Sequence, residues 1–337
     1  MNGYERLLAT IRGQAADRTP VAPQLFGHAA RLCNVSLRDY GQSGTLMADC
    51  QLRMQAHYRS DAVFAFMDFC VESEALGSRV RFYDQQYPEI VDYVLPAQAD
   101  AGALRLPDPT ADGRLPEMLR GITALRAGLG DRVLLTGCLL GPMTLATQLY
   151  GIENALFLAA DAPERYETAL DFATECAIRY GQAQLAAGTH LVAVFDPAAS
   201  PAVVPPAFFR QLLLPRLQRL LAALRQAGSL ATWLNIAGPT APILANYPAA
   251  GADIATFDYE VSVAEACRLL PDTCLIGNLK ALDFLDTHPE RITLAARQLV
   301  DACRDRGRFI LSSGCEIPPE SAPANIAALL AACDTGG

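Results

Sequence analysis

The stretch RFILSSGCEIPPES, residues 308–321, decides the fold. It begins as an apolar, strand-forming run, narrows to small residues and stops at a thiol, Cys315, before a rigid proline pair. Gly307 stands just before it, after a helical pattern over 289–306, so the segment reads as helix, glycine stop, strand and loop. The small residues leave the backbone open on one side of Cys315 and the prolines stiffen the other. A thiol held there is badly placed for core packing, and suits a metal ligand or a reactive thiolate.

The same grammar recurs outward through the chain. Short apolar runs at 21–26, 62–68, 132–138, 190–197, 231–238, 253–259, 273–280 and 308–315 read as strands. Helical patterns near 43–58, 115–129, 162–188, 205–227, 240–249, 262–270, 289–306 and 322–333 separate them. Gly188, Gly228, Gly251 and Gly307 lie where helices should end. Eight such units predict a (β/α)8 TIM barrel with its site at the C-terminal ends of the strands. A doubly wound sheet is the alternative, but it often carries a Gly-rich loop after its first strand, and here that loop is FGHAARL. Two segments depart from the pattern. Residues 78–95 alternate and contain a turn, predicting a β-hairpin insertion after strand 2, and Pro215 should kink the helix that contains it. With no linker or composition break, residues 1–337 read as a single domain.

Composition narrows the function. The chain is 51% hydrophobic and 19% charged, enough to build a large core. It has no apolar run long enough for a membrane span and no signal-peptide pattern. A net charge of −9 without a basic stripe argues against nucleic acid as a partner. The ten cysteines include no CxxC pair and sit mostly in apolar runs, as expected of reduced thiols in a cytoplasmic protein.

Taken at the strand ends, the sequence offers His28, Asp68, Cys138, Asp196, Asn235, Asp258, Asn278 with Lys280, and Cys315. Polar groups ending apolar strands are costly to bury without partners, so their recurrence around one rim predicts a ligand pocket. Asp68 suits binding a cationic group, orienting a substrate or moving a proton, and Glu72 and Glu74 follow it. Asp196 sits on a turn set by Pro197 and Pro201, where a local Asx-turn competes with a functional role. Cys138 has more apolar neighbours than Cys315.

These segments resemble the uroporphyrinogen decarboxylase superfamily, and within it the corrinoid-dependent methyltransferases. The likeness runs through DRTPV (17–21), MDFCVESEALGSRVRF (67–82), GPMTLA (141–146), the D-P-x-A-S of 196–200, GADIATFD (251–258), IGNL (276–279) and GCEIPPESAPANI (314–326). It implies a (β/α)8 barrel with the site at the strand C-termini. Decarboxylases of this kind carry an Arg-rich loop after the first strand to clamp a polycarboxylate, whereas here that loop has only Arg31. Asp68 matches their functional aspartate, Gln148 stands where their tyrosine is expected, and Cys315 replaces their histidine. The methyltransferases use zinc held by a His-x-Cys pair after the fifth strand and a cysteine after the eighth. Cys315 matches that cysteine, and Asn235 and Ala237 occupy the places of the pair.

The resemblance implies methyl transfer to or from a small molecule, with methylcobalamin as substrate. No D-x-H-x-x-G corrinoid motif occurs, so the corrinoid would be free or carried by a partner protein. In that reading Cys315, Asp68 and Asn235 act on the substrate, while His28, Glu72, Cys138, Gln148, Asp196, Asp258 and Asn278 line its pocket. A rebuilt metal site of Cys315 with some of His28, Cys138 and Asp196 is a second reading. A paralogue that binds a tetrapyrrole or corrinoid without chemistry is a third, and a decarboxylase acting on another substrate a fourth. The segment 78–95 is a candidate contact surface for a homo-oligomer.

Overall fold

The computed structural model describes residues 1–333. Its strands are β1 (Ala62–Ala65), β2 (Arg79–Arg81), β3 (Glu89–Asp92), β4 (Leu134–Leu140), β5 (Leu191–Phe195), β6 (Thr232–Asn235), β7 (Ile254–Thr256), β8 (Cys274–Leu279) and β9 (Phe309–Ser313). All except β2 and β3 form one parallel sheet in chain order, with seven strands. Helices join them as βα units; Gly44–Tyr58, Leu115–Leu129, Pro163–Ala187 and Pro289–Cys303 fall close to their sequence readings. Leu115–Leu129 shows why: Leu115, Met118, Ile122, Leu125 and Leu129 make one buried stripe, and Gly130 ends the helix at φ +58°.

The first expected strand, 21–26, needs correcting. Only Val21 forms a bridge, to Leu311 of β9. Pro20 and Pro23 flank it, and neither has an N–H to extend a ladder. The segment still occupies the seam between β9 and β1. Leu311 donates to Pro20 O at 2.9 Å, Ala22 N donates to Leu311 O at 3.0 Å, and Asp61 N donates to Val21 O at 2.9 Å. Side chains complete the seam: Asp61 Oδ2 accepts from Val21 N at 2.8 Å, and Ser312 Oγ donates to Ala22 O at 2.8 Å.

Two expected helices are also interrupted. The one expected over 205–227 runs through a π-helical turn, Phe209–Leu213, before Leu214–Gln226 starts with Pro215 in its first turn. The one expected over 240–249 is two short pieces, Ala241–Leu244 and Tyr247–Ala250, because Pro248 cannot continue a helix. Between β4 and β5 the helices Pro142–Tyr150 and Ile152–Asp161 precede Pro163–Ala187. Within 78–95, β2 and β3 pair antiparallel across the connecting loop 82–88, with Val80 opposite Ile90 and Arg81 opposite Glu89.

Alternate strand residues build the interior of the curled sheet. Phe64, Leu134, Leu191, Ala193, Trp233, Ile254, Cys274, Ile276 and Ile310 form one buried cluster with Leu7, Leu8 and Ile11. Those last three lie on the helix Gly3–Ile11, which begins with a capping box of Asn2 and Glu5. Helices and the outward strand residues make the larger core. Among the described residues no helix is long and apolar enough to cross a membrane.

Candidate functional site

The strand parity that fills the interior with apolar residues carries polar ones to the C-terminal mouth. Trp233 leads to Asn235, Ile254 to Asp258, Ile276 to Asn278, and Ile310 through Ser312 to Gly314. Asp258 is buried; Oδ2 accepts from Gly238 N and Oδ1 from Tyr259 N, each at 2.7 Å. The loop leaving β9 passes so close that a Cβ on Gly314 would lie 2.3 Å from Asp258 Oδ1. Asn278 Nδ2 donates to Asp258 O at 3.2 Å and Val261 O at 2.9 Å, tying the ends of β7 and β8 together. Lys280 lies 5.3 Å from the centre of the Tyr259 ring. Cys315 sits half-buried beside this group, its thiol pushed up to about 12 by burial, with Asp258 and Glu316 adding to the effect.

Across the mouth, Asn235 Nδ2 donates to Gln24 Oε1 at 2.9 Å, and Gln24 Nε2 donates to Ser313 O at 3.3 Å. Gln24 carries no signal of this role in the sequence, because the segment around it reads as an ordinary strand.

Asp68 is not a free carboxylate. Arg114 Nη1 donates to Oδ2 at 2.5 Å, Nη2 to Oδ1 at 3.2 Å, and Cys70 N to Oδ1 at 2.8 Å. The same guanidinium bonds Glu74 and Gly41 O and stacks 4.8 Å from the Phe82 ring. Arg114 enters from the residue before its helix, 46 positions away, where the sequence gives no sign of this partner. Glu72 is buried with Oε1 accepting from Leu140 N at 2.9 Å, and burial pushes its carboxyl up to about 7. It shares with Asp68, Cys138 and Tyr180 a cavity with about 10 Å³ of room for the centre of a water, enough for one. Cys138 belongs to the interior cluster, and burial raises its thiol well above the ordinary value. Gln148 Oε1 accepts from Ser73 Oγ at 2.5 Å, joining the 142–150 helix to the short helix Val71–Ala75 that follows β1.

Two rim residues serve their surroundings. The ring of His28 bonds Tyr58 Oη at 2.9 Å and Pro319 O at 3.0 Å, and burial lowers its basicity. Asp196, fully buried, faces the N-terminus of Pro142–Tyr150: Oδ1 accepts from Thr144 N and Thr144 Oγ1, each at 2.7 Å, and Oδ2 from Met143 N at 3.3 Å. This is a helix-capping arrangement made from a neighbouring strand end.

Tyr87 and Glu316 complete the mouth. The Tyr87 ring meets Phe66 edge-on at 6.4 Å, above rings of Phe66, Phe69, Phe26 and Phe195 that contact one another. Its hydroxyl accepts from Gly27 N at 2.7 Å and donates to Glu316 Oε1. Burial pushes the Glu316 carboxyl up to about 8. Glu316 had a signal in the sequence, as the one charge among the small and apolar residues of GCEIPP. Tyr87 had none.

The three-ligand zinc set does not fit this mouth. Ala237 has no donor atom, and the Asn235 amide is joined to Gln24. Nor is Cys315 joined by two of His28, Cys138 and Asp196: His28 and Asp196 are bound to the partners above, and Cys138 lies in the interior cluster. Among the described residues no group of three or more His, Cys, Asp or Glu side chains is arranged to hold a metal ion.

Comparison with known proteins agrees with this architecture. The chain is 29% identical over 339 residues to a methylcobamide:CoM methyltransferase, MtaA, of Methanosarcina barkeri, covering 98% of this chain and 96% of that one. It is 25% identical over 358 residues to a uroporphyrinogen decarboxylase of Magnetococcus marinus, covering 100% and 98%. A solved methyltransferase from Methanosarcina mazei superposes with a TM-score of 0.89 at 26% identity, covering 98% of each chain. The family model described as uroporphyrinogen decarboxylase (URO-D) matches residues 2–336, and the chain belongs to that family.

Proposed function

We propose that the protein transfers a methyl group between a corrinoid and a small molecule at the C-terminal mouth of its parallel sheet, without the three-ligand zinc set. One observation carries this reading: the fold follows a methyltransferase over 98% of both chains. The disposition of Asp68 supports it, since both oxygens are committed to Arg114 and Cys70 N rather than open to a tetrapyrrole. The loop after the first segment, with Arg31 alone, also lacks a clamp for many carboxylates.

In this reading the corrinoid is a substrate, either free or presented by a carrier protein. Asn235 and Asn278, whose amide nitrogens are bonded within the mouth, orient the reacting partner by accepting hydrogen bonds at Oδ1, while Cys315 and Asp258 flank it. The aromatic rings below exclude water from the methyl group in flight. Cys315 itself stays a neutral thiol near neutral pH, because burial holds its proton.

The test is an assay in both directions: methylcobalamin with a panel of thiols, and cob(I)alamin with methylated donors, followed by the cobalamin absorbance. Turnover that survives treatment with a chelator and falls about tenfold or more in Asn235→Ala is the expected result. Tight corrinoid binding with no transfer either way would favour a binding protein. Turnover abolished by the chelator and restored by stoichiometric zinc would refute the metal-free reading.

A further inference from the structure

We propose that the loop 82–88 is a lid over the mouth, with Tyr87 as its latch, and that it must lift to admit substrate. The inference rests on the mouth being the site. Both ends of the loop touch the residues described there: Phe82 lies on Arg114, and Tyr87 bonds Glu316. Tyr87 Oη therefore joins three loops, those after β2, after the Val21 segment and after β9, through Gly27 and Glu316.

The seat for this hydroxyl is shaped to receive it. A Cβ on Gly27 would lie 2.6 Å from Tyr87 Oη and 2.8 Å from Leu37 Cδ2, so the absent side chain is the slot into which the phenol fits. The flanks of the loop are fixed. Arg81 pairs with Glu89 in the β2–β3 ladder, and Cys70 Sγ donates to Pro88 O at 3.4 Å.

Between those flanks the remaining ties are weak. Arg38 pairs with Asp84 at 2.9 Å with side chains 49% and 63% exposed, and Arg38 Nη2 donates to Phe82 O at 3.2 Å. Arg31 donates to Gln85, and Leu37 N to Asp84 O at 2.9 Å. Exposed ion pairs of this kind add little against water, so apart from the one backbone bond from Leu37 closure depends on the ring and hydroxyl of Tyr87. A segment fixed at its flanks and held near one end by a half-buried aromatic side chain opens when that side chain leaves.

Opening is read without any methyl transfer, from the accessibility of Cys315. The full-length protein is treated with iodoacetamide. Labelling of Cys315 is followed by peptide mass spectrometry and normalised to Cys267, a half-buried thiol on the helix Val263–Leu269. Amide hydrogen exchange over 82–88 is followed in parallel. Tyr87→Phe keeps the ring and loses both hydroxyl bonds; it should label Cys315 about tenfold faster than wild type, with faster exchange over 82–88 and unchanged exchange in β1. Tyr87→Ala should exceed that. Should Tyr87→Ala not fold, Tyr87→Phe decides alone. Wild-type rates of labelling and exchange in folded Tyr87→Phe would overturn the lid, whatever the methyl-transfer assay shows.

Discussion

Two carboxyls four residues apart, Asp68 and Glu72, leave β1 into opposite electrostatic surroundings. A buried guanidinium clamps the first, whereas the second receives one backbone N–H and is otherwise desolvated. The carboxyl of Glu72 is raised from 4.5 to about 7 in the folded state. The folded protein then holds this proton more tightly than the unfolded chain, so stability falls as pH rises from 4.5 to 7, and the loss is complete above it. Glu72→Gln removes the titration and keeps an acceptor for Leu140 N. It should stabilise the protein by on the order of 2 kcal/mol at pH 8 and by almost nothing near pH 4.5, measured by urea unfolding of both proteins across that range. A gain independent of pH would point to packing instead. The string MDFCVESEA displays its carboxyls openly, but not which of them is paired, because the deciding residue, Arg114, is brought in by tertiary folding.

Among the elements, the helix Pro142–Tyr150 depends on a residue outside itself. Gly141 has no side chain with which to cap it, and a Cβ there would lie 2.3 Å from the Asp196 Cβ. Asp196 does the capping from the end of β5. Asp196→Ala leaves two buried N–H groups and the Thr144 hydroxyl without their acceptor, and should cost about 2–3 kcal/mol. Hydrogen exchange should rise at Met143 and Thr144 ahead of the rest of the helix; an even rise across the chain would contradict a local cap. The sequence showed that Asp196 occupies a turn, and both of its readings, local and functional, missed the distant helix it serves. Strands β4 to β9 were legible because buried parallel strands are short apolar runs closed by helix stops. The first strand was misread despite a visible warning, since Pro20 and Pro23 withhold the donors a ladder needs.

At the scale of the whole molecule, the helix Gly3–Ile11 closes the end of the curled sheet opposite the mouth. Leu7, 1% exposed, packs into the interior cluster, and Arg6 pairs with Asp61 and Asp17. The sequence of this helix does not announce its role, which lies in what it covers. Leu7→Ala should cost about 2–5 kcal/mol by urea unfolding, as a buried leucine does. A cost below 1 kcal/mol would mean the interior stands without this cover. The family itself was legible from the order of its motifs. The fate of each rim residue was not, because capping, pairing and exposure are decided by chain segments far apart.

The seam at Val21 gives the architecture one joint unlike the others. Elsewhere neighbouring strands are joined chiefly by peptide groups, which every residue supplies alike. At the seam three backbone hydrogen bonds remain, and the carboxyl of Asp61, the hydroxyl of Ser312 and the amide of Gln24 share the task with them. Closure there is spelled partly in particular amino acids, and one of the letters, Gln24, is also the partner of Asn235 in the mouth. A point mutation can thus alter the circumference of the ring and the lining of its opening together, a coupling that the backbone-stitched joints do not permit.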